Sequence, residues 1–359
     1  MINKGRELSQ MKSEIRGCID LGSSYFRLLV VEGIFPGNKV TALRHTSIEE
    51  HSVSPRSERI ERNHVEVISV TEDRRYVGWG DDLESIGEIS QARSSDAWCA
   101  LEDLASLARR YGCEKPIIVG TNTLRVARNA RAITDFLAGK VSAPISILSQ
   151  EEEAAMSFLG ACSALAGEVD VILLDIGGTS TEVSWGKGGR LVGFLGMPWG
   201  THRVCHVLRR SSPPELGLHR ALLNILEQGN VLPREGLLPH ITLSHLSIRK
   251  ESPTILATGG TAVSLAVALR FMKRSLLAIG EIELLSEDDL VLIGRRVEGI
   301  LSTGRERSFP LSRERMRLLL PGFLLLSIIF REIGSSVLHV TSRDLRWGIL
   351  MSAGEVFNP

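Results

Sequence analysis

Asp175, Gly177, Gly178, Thr179, Ser180 and Glu182 fall close together in the stretch V-I-L-L-D-I-G-G-T-S-T-E-V-S-W, from Val171 to Trp185. An apolar run ending in an acid reads as a buried strand, and a glycine pair lets the backbone turn tightly beside a bulky ligand. Thr181 to Trp185 then alternates as a second strand would. The turn of such a hairpin presents successive backbone N–H groups, two hydroxyls and a carboxylate, a set that suits a phosphate and its metal ion. A single copy reads equally well as an ordinary glycine turn with Asp175 as turn former. The chain carries a second copy. C-I-D-L-G-S-S-Y-F-R-L-L-V-V-E, from Cys18 to Glu32, repeats the apolar residue, Asp20, apolar residue, Gly22 and the small hydroxyls Ser23 and Ser24 before another apolar strand. Two equivalent strand-turn-strand units predict two halves of one cleft that grips a polyanion from both sides.

Three more corners point the same way. Pro116 to Gly120 reads as a short buried strand that runs into Thr121-Asn122-Thr123-Leu124-Arg125 and then a helix from Ala127 to Leu137. Hydroxyls and an arginine where a strand meets a helix make an oxyanion cradle, although alone they describe a capping turn with a surface arginine. Ile255 to Ala257, a strand, ends in Thr258-Gly259-Gly260-Thr261 with a helix to Leu269, a third phosphate-compatible corner. Ser149 to Ala166 reads as a helix opening S-Q-E-E-E-A, in which Ser149 and Glu152 have capping-box spacing. Three consecutive acids exceed what a cap uses, so at least one is expected to face the cleft.

The elements that must position these residues alternate between strand and helix. Val40 to His51 and Val65 to Val70 read as strands around an exposed loop, and Asp81 to Tyr111 as one long helix with a break near Ser94. Leu191 to Gly196 is a strand before a helix from Thr201 to Leu208. Ser211 to Pro214 is a linker before a helix from Gly217 to Gln228. Asp288 to Leu301 and Ser312 to Ile333 are helices, Val337 to Val340 is a strand, and Asp344 to Glu355 is a final helix. The expectation is an α/β protein of two similarly built domains, residues 1–150 and 151–343, with residues 1–15 frayed and the final helix packed back on the first domain.

Lys plus Arg and Asp plus Glu both number 42, so no global charge addresses nucleic acid or an anionic membrane, and anion binding must be local. The five cysteines lack a C-x-x-C pair, which fits reduced thiols in a cytoplasm, and His202, Cys205 and His206 lack the second half of a metal site. No leader pattern opens the chain. Leu318 to Phe330, its most apolar run, is broken by Pro321 and Gly322 and is shorter than the about 20 residues of a membrane span, so a buried helix is expected.

Six ordered stretches, I-D-L-G-S-S-Y-F-R-L-L-V-V-E, G-T-N-T-L-R-V-A-R-N-A, S-Q-E-E-E-A, D-I-G-G-T-S-T-E, L-G-M-P-W-G and A-T-G-G-T, resemble the motifs of exopolyphosphatases and guanosine pentaphosphate phosphohydrolases, within the actin, sugar-kinase and heat-shock-chaperone superfold. The resemblance spans about Gly17 to Met351. It implies two actin-like (ribonuclease-H-like) domains around a central cleft, where the terminal phosphoryl group of polyphosphate or guanosine pentaphosphate is removed with Mg²⁺ or Mn²⁺, and a cytoplasmic homodimer. Glu153 would activate water, and Asp175 and Glu182 would be the other essential acids. Gly22, Ser23, Ser24, Gly177, Gly178, Thr179, Ser180, Gly259 and Gly260, with Arg27 and Arg125, would hold phosphate, and Asp175 with Asp20 the metal.

The chain departs from the family at Ser24 (usually Asn), Gln150 and Thr179 (usually Gly), and Arg317 and Trp347 (usually acids). The last two shift local charge towards positive, so a different substrate preference is expected. With no counterpart of the C-terminal helical domain of longer members, hydrolysis is expected to favour short chains or a nucleotide-linked phosphate and to release the polymer after few cuts. The competing readings are a polyphosphate or alarmone sensor without turnover, and an ATP-dependent kinase or ATPase of the same superfold.

Overall fold

The computed structural model describes residues 13–35, 66–211, 252–273, 282–303 and 310–352. Two sheets organise them. The first joins β1 (Glu14–Leu21), β2 (Tyr25–Ile34), β3 (Glu66–Tyr76), β4 (Ile117–Gly120) and β5 (Ser146–Ile147) in the order β3-β2-β1-β4-β5. The second joins β6 (Asp170–Ile176), β7 (Thr181–Lys187), β8 (Arg190–Met197), β9 (Thr254–Thr258), β10 (Ile282–Ser286) and β11 (Val337–Thr341) in the order β8-β7-β6-β9-β11-β10. In each, an antiparallel three-strand meander is followed by two strands parallel to its first strand. The duplication seen in two short motifs therefore extends through whole sheets, with β10 added at one edge.

Central strands are apolar because they are covered on both faces: Val171 to Leu174 of β6 and Leu28 to Val31 of β2 are all buried. Over the second sheet pack α7 (Gly259–Met272) and α9 (Arg313–Ile333), the latter with Pro321 inside it and Leu324, Leu325 and Leu326 fully enclosed. Among the described residues no helix is long and apolar enough to cross a membrane.

Several expectations need correction. The long helix is two, α1 (Trp79–Ile86) and α2 (Gln91–Arg110), and the break falls at Gly87 rather than Ser94. Gly87 closes α1 at φ 72°, a left-handed conformation that suits glycine, and the Ser90 side chain then caps α2 by accepting from the Arg93 N–H. β1 begins inside the stretch expected to fray. Its Arg16 guanidinium lies over the Phe35 ring and donates to the Leu350 carbonyl. Strand β10 was not foreseen. The strand expected at Val40 to His51, the loop after it, the linker at Ser211 to Pro214 beyond its first residue and the helix from Gly217 lie outside the described residues.

The final helix, α10 (Leu345–Met351), packs against the first sheet. Leu345, Trp347, Ile349 and Leu350 share a cluster with Cys18, Leu29, Val31 and Val119. It crosses α5 (Gln150–Cys162) where Gly160 and Gly348 stand against the partner backbone, leaving no room for a Cβ.

Candidate active site

Both hairpin turns, the end of β4, the first turns of α5 and α7, and Arg315 of α9 line one cavity. Of the expected residues, Gly22, Ser23, Ser24, Arg27, Glu153, Asp175, Gly177, Gly178, Thr179, Ser180, Glu182, Gly259 and Gly260 are on its wall; Asp20 and Arg125 are not. The two turns meet closely. A side chain at Gly178 would strike the hydroxyl of Ser23, and Asn122 donates to Thr179 Oγ1 at 3.0 Å across the cleft. Gly259 has φ 82° and lies against Asp175 Oδ1, so a Cβ there would be both strained and obstructed.

What distinguishes the two copies is the residue facing each aspartate. In the first hairpin Asp20 is directly opposite Arg27; in the second, Asp175 is directly opposite Glu182. Arg27 donates to Asp20 Oδ2 through Nε (2.8 Å) and Nη2, and to Asp344 Oδ2 through Nη1 (3.0 Å). Asp20 is thus ion-paired behind the cavity, with its Oδ1 left without a hydrogen-bond partner among the described residues, and Arg27, expected to grip phosphate, lies on the cavity wall while holding two carboxylates. Among the described residues Asp175 has no ion pair, and the Ser157 hydroxyl donates to its Oδ2 at 3.0 Å. Burial pushes Asp175 up to about 6, opposed by the Arg27 charge and the Ser157 bond. Glu182, 4% exposed, is raised well above the usual carboxylate range by burial and by the neighbouring charges of Glu153 and Asp175, and its Oε1 has no hydrogen-bond partner among the described residues. The second copy is the one with unspent negative charge.

Glu153 sits in the first turn of α5. Its neighbour Glu152 accepts from the Ser149 N–H at 2.7 Å while Ser149 Oγ accepts from Glu152 N–H, so the capping box forms as its spacing requires. That leaves Glu153, its side chain 13% exposed, turned to the cavity. Burial raises it to about 7 although Arg125 Nη1 donates to its Oε2 at 2.5 Å. Arg125 also donates to the Leu148 carbonyl at 2.8 Å. It therefore anchors this carboxylate and stands behind the cavity wall. Replacing Arg125 with glutamine removes the cation that favours the ionised form, so the acidic limb of any activity needing ionised Glu153 should move towards alkaline pH. A pH–rate profile whose limb stays in place would show that Arg125 does not tune this group.

Sequence reasoning missed Arg315. Its guanidinium lies 4.4 Å from the Tyr25 ring centroid, against Gly260, and no carboxylate pairs with it among the described residues. Burial lowers it to about 10. A cation so placed favours an anion in the cavity. The signal was present: Arg315 stands two residues before Arg317, one of the departures from the family. Neither charge departure reaches the cavity. Arg317 pairs with Asp81 at 2.5 Å, and Trp347 is buried in the core beneath Arg343. The expected shift of site charge towards positive does not occur.

Among the described residues, no three His, Cys, Asp or Glu side chains converge to enclose an ion. The donor set nonetheless fits a hard divalent cation held by one or two carboxylates and completed by substrate oxygens. Asp175 and Glu182 are buried acids raised above the usual carboxylate range, and among the described residues Glu182 Oε1 has no donor.

The sequence profile of the Ppx/GppA phosphatase family matches residues 59–355. A guanosine-5'-triphosphate,3'-diphosphate pyrophosphatase of Vibrio parahaemolyticus is 30% identical over 176 residues, 49% of this chain and 30% of that protein. Its counterpart in Aeromonas hydrophila is 28% identical over 175 residues, 49% of this chain and 29% of that protein. The aligned stretch thus spans less than a third of either relative. The structure is similar to an exopolyphosphatase from Cytophaga hutchinsonii, with a TM-score of 0.74 at 18% identity over 96% of this chain and 99% of that one. It is also similar to the Aquifex aeolicus Ppx/GppA family member, at 0.67 and 19% over 97% and 100%. The shared architecture is the two-domain actin-like fold. With its profile, its duplicated sheets and its acid-lined cleft in agreement, the chain belongs to the Ppx/GppA phosphatase family.

Proposed function

We propose that the protein is a phosphohydrolase in which water attacks the terminal phosphoryl group of inorganic polyphosphate or a guanosine pentaphosphate. The observation that carries this reading is Glu153, fixed by Arg125 and raised to about 7, on the same wall as both hairpin turns. Phosphoryl transfer demands positioning and charge neutralisation more than covalent chemistry. The turns at Gly22–Ser24 and Gly177–Ser180, with Arg315, hold the phosphoryl oxygens; Glu153 takes the proton of the attacking water. Asp175, with Glu182 beside it, would hold Mg²⁺ or Mn²⁺, which supplies neutralisation of the phosphoryl charge. Because Glu153 must be ionised to accept a proton, kcat should rise with pH through about 7.

The division into domains 1–150 and 151–343 belongs to the same proposal, as do a cytoplasmic setting, supported by five cysteines that include no C-x-x-C pair, and a homodimer, supported by the family resemblance. With no net charge, neither nucleic acid nor a membrane is a proposed partner.

The test is phosphate release in Mg²⁺ or Mn²⁺ from polyphosphate, guanosine pentaphosphate and ATP. Faster release from ATP overturns the proposal in favour of the kinase or ATPase reading, and tight binding without release favours a sensor. Chain-length analysis should show a falling ladder of intermediates. Of the arginine clusters that could form a cationic track, 109–110, 125–131 and 203–210, the second and third are partly engaged: Arg125 pairs with Glu153, Arg128 with Glu88, Arg131 with Asp135 and Arg203 with Glu84, which lowers the charge available to a long polyanion. Long chains that vanish without intermediates would contradict this.

A further inference from the structure

Ser24 and His202 meet across the cleft, with Ser24 Oγ 2.7 Å from His202 Nε2. His202 Nδ1 is 2.9 Å from Asp81 Oδ1, and Arg317 Nη2 donates to Asp81 Oδ2 at 2.5 Å. Ser24, in the β1–β2 turn, and Asp81, on α1, belong to the first lobe. His202, on α6 (Thr201–Ser211), and Arg317, on α9, belong to the second. The four side chains thus alternate between lobes. The Ser24 carbonyl accepts from the Val77 N–H at 2.9 Å, and the His202 N–H donates to the Gly178 carbonyl at 2.8 Å, so both ends are anchored by backbone. The imidazole is fully buried and lies against Gly80 and Gly178, where a Cβ would strike it.

Asp81 decides which ring nitrogen carries the proton. Burial would raise its carboxyl, but the bonds from His202 and Arg317 hold it well below the usual range, so it is an ionised acceptor and Nδ1 must donate. Neutral His202 then offers only a lone pair at Nε2. Ser24 must give that lone pair its single hydroxyl proton, and it shows the cavity only acceptor lone pairs, which repel phosphate oxygens. Protonation of His202 reverses the bond: Nε2–H donates to Ser24 Oγ, and the hydroxyl proton is released towards the cavity. We propose that Ser24 is a phosphate contact switched by the protonation of His202, so that an anionic phosphoanhydride and a proton bind together.

The charges around His202 make the ligand the deciding influence. From α1 come Asp81 and Glu84, the latter engaged by Arg203; from β3 comes Tyr76, whose hydroxyl donates to Asp81 Oδ2 at 3.5 Å; from α9 comes Arg317; and α6 itself carries Arg203, Cys205 and His206. Arg317 opposes a second positive charge beside Asp81, whereas phosphate oxygens in the cleft favour one. The same three side chain types serve elsewhere as a nucleophilic relay, which here would put a phosphoryl group on Ser24 and leave Glu153 idle in the first step.

This inference rests on the cleft binding phosphoanhydrides, and its test reads binding without turnover. The full chain, with labelled histidine ring nitrogens assigned by a His202→Gln variant, is titrated with inorganic tripolyphosphate in chelator at about pH 8, the upper end of the histidine range. The His202 signals should move from neutral to imidazolium positions on saturation. Ser24→Ala should bind tripolyphosphate about 10-fold more weakly at acidic pH, the loss expected for a hydrogen bond to a charged group, with a flatter pH dependence than the parent. Saturation with the ring still neutral, or a Ser24→Ala variant with the parent's pH dependence, overturns the switch alone. No binding at all overturns the substrate reading and the switch with it. After mixing with tripolyphosphate and Mg²⁺, a phosphoryl mass on Ser24 would establish the nucleophile in its place.

Discussion

Replacing Glu153 with glutamine is expected to lower kcat by about 100- to 10,000-fold, the usual range for loss of a general base, while KM changes by no more than a few fold. The substitution isolates chemistry from architecture. Glutamine preserves volume and keeps an oxygen for Arg125 Nη1, which lies 2.5 Å from the present carboxylate, and the α5 cap belongs to Glu152. Glu152→Gln is the matched control: it perturbs the capping box, at a cost of about 1 kcal/mol or less in stability, and leaves turnover near the parent value. Steady-state kinetics on both variants separate the roles. Parental turnover in Glu153→Gln would remove it as base and leave Glu182 as the acid to examine.

Asp175→Asn should move activity and stability in opposite directions. Turnover should fall about 100-fold or more, because the carboxylate proposed to hold the divalent cation is gone. In chelator the same variant should be more stable at about pH 8, where the parent ionises a buried carboxylate facing Glu182. The sign follows from linkage. The folded-state value is raised to about 6, above the ordinary value near 4, so ionisation opposes folding above about pH 6 and ceases to matter below about pH 4. The gain should reach about 1 to 3 kcal/mol at alkaline pH and fade as pH falls through that window. Denaturant midpoints for parent and variant at both ends of the window give the measurement. A variant destabilised at pH 8 would mean that the Asp175 charge is already compensated.

Both hairpins were legible from sequence because their signal is local: an apolar run, an acid, then a turn of glycines and hydroxyls. Their asymmetry was legible too, had hairpin register been followed outward from the turns. Asp20 and Arg27 stand opposite each other, as Asp175 and Glu182 do, and these pairings set which aspartate has a cation facing it. The helix break needed a left-handed residue, and Gly87 was the signal passed over. Arg315 and Arg317 show the limit of counting charges along a chain. Both are on α9, yet one faces the cavity and the other meets Asp81 on α1, a pairing that sequence separation hides. Trp347 looked like a missing acid and is a core side chain.

The meeting of α10 with the first sheet bears on how the molecule is made. Arg16 of β1 donates to Leu350, 334 positions away, and buried Arg346 donates to the Leu28 carbonyl at 2.8 Å while its partner Asp344 accepts from Arg27. Synthesis proceeds from the N-terminus, so the lobe whose strands leave the ribosome first has one face uncovered until residues 345–350 have emerged. Leu29, Val31 and Val119 await Leu345, Ile349 and Leu350 throughout that interval. The two lobes look alike, but their histories differ: the first sheet is covered only after the last strand of the second has been made, and a chain stalled before residue 345 would present it to chaperones and proteases half-covered.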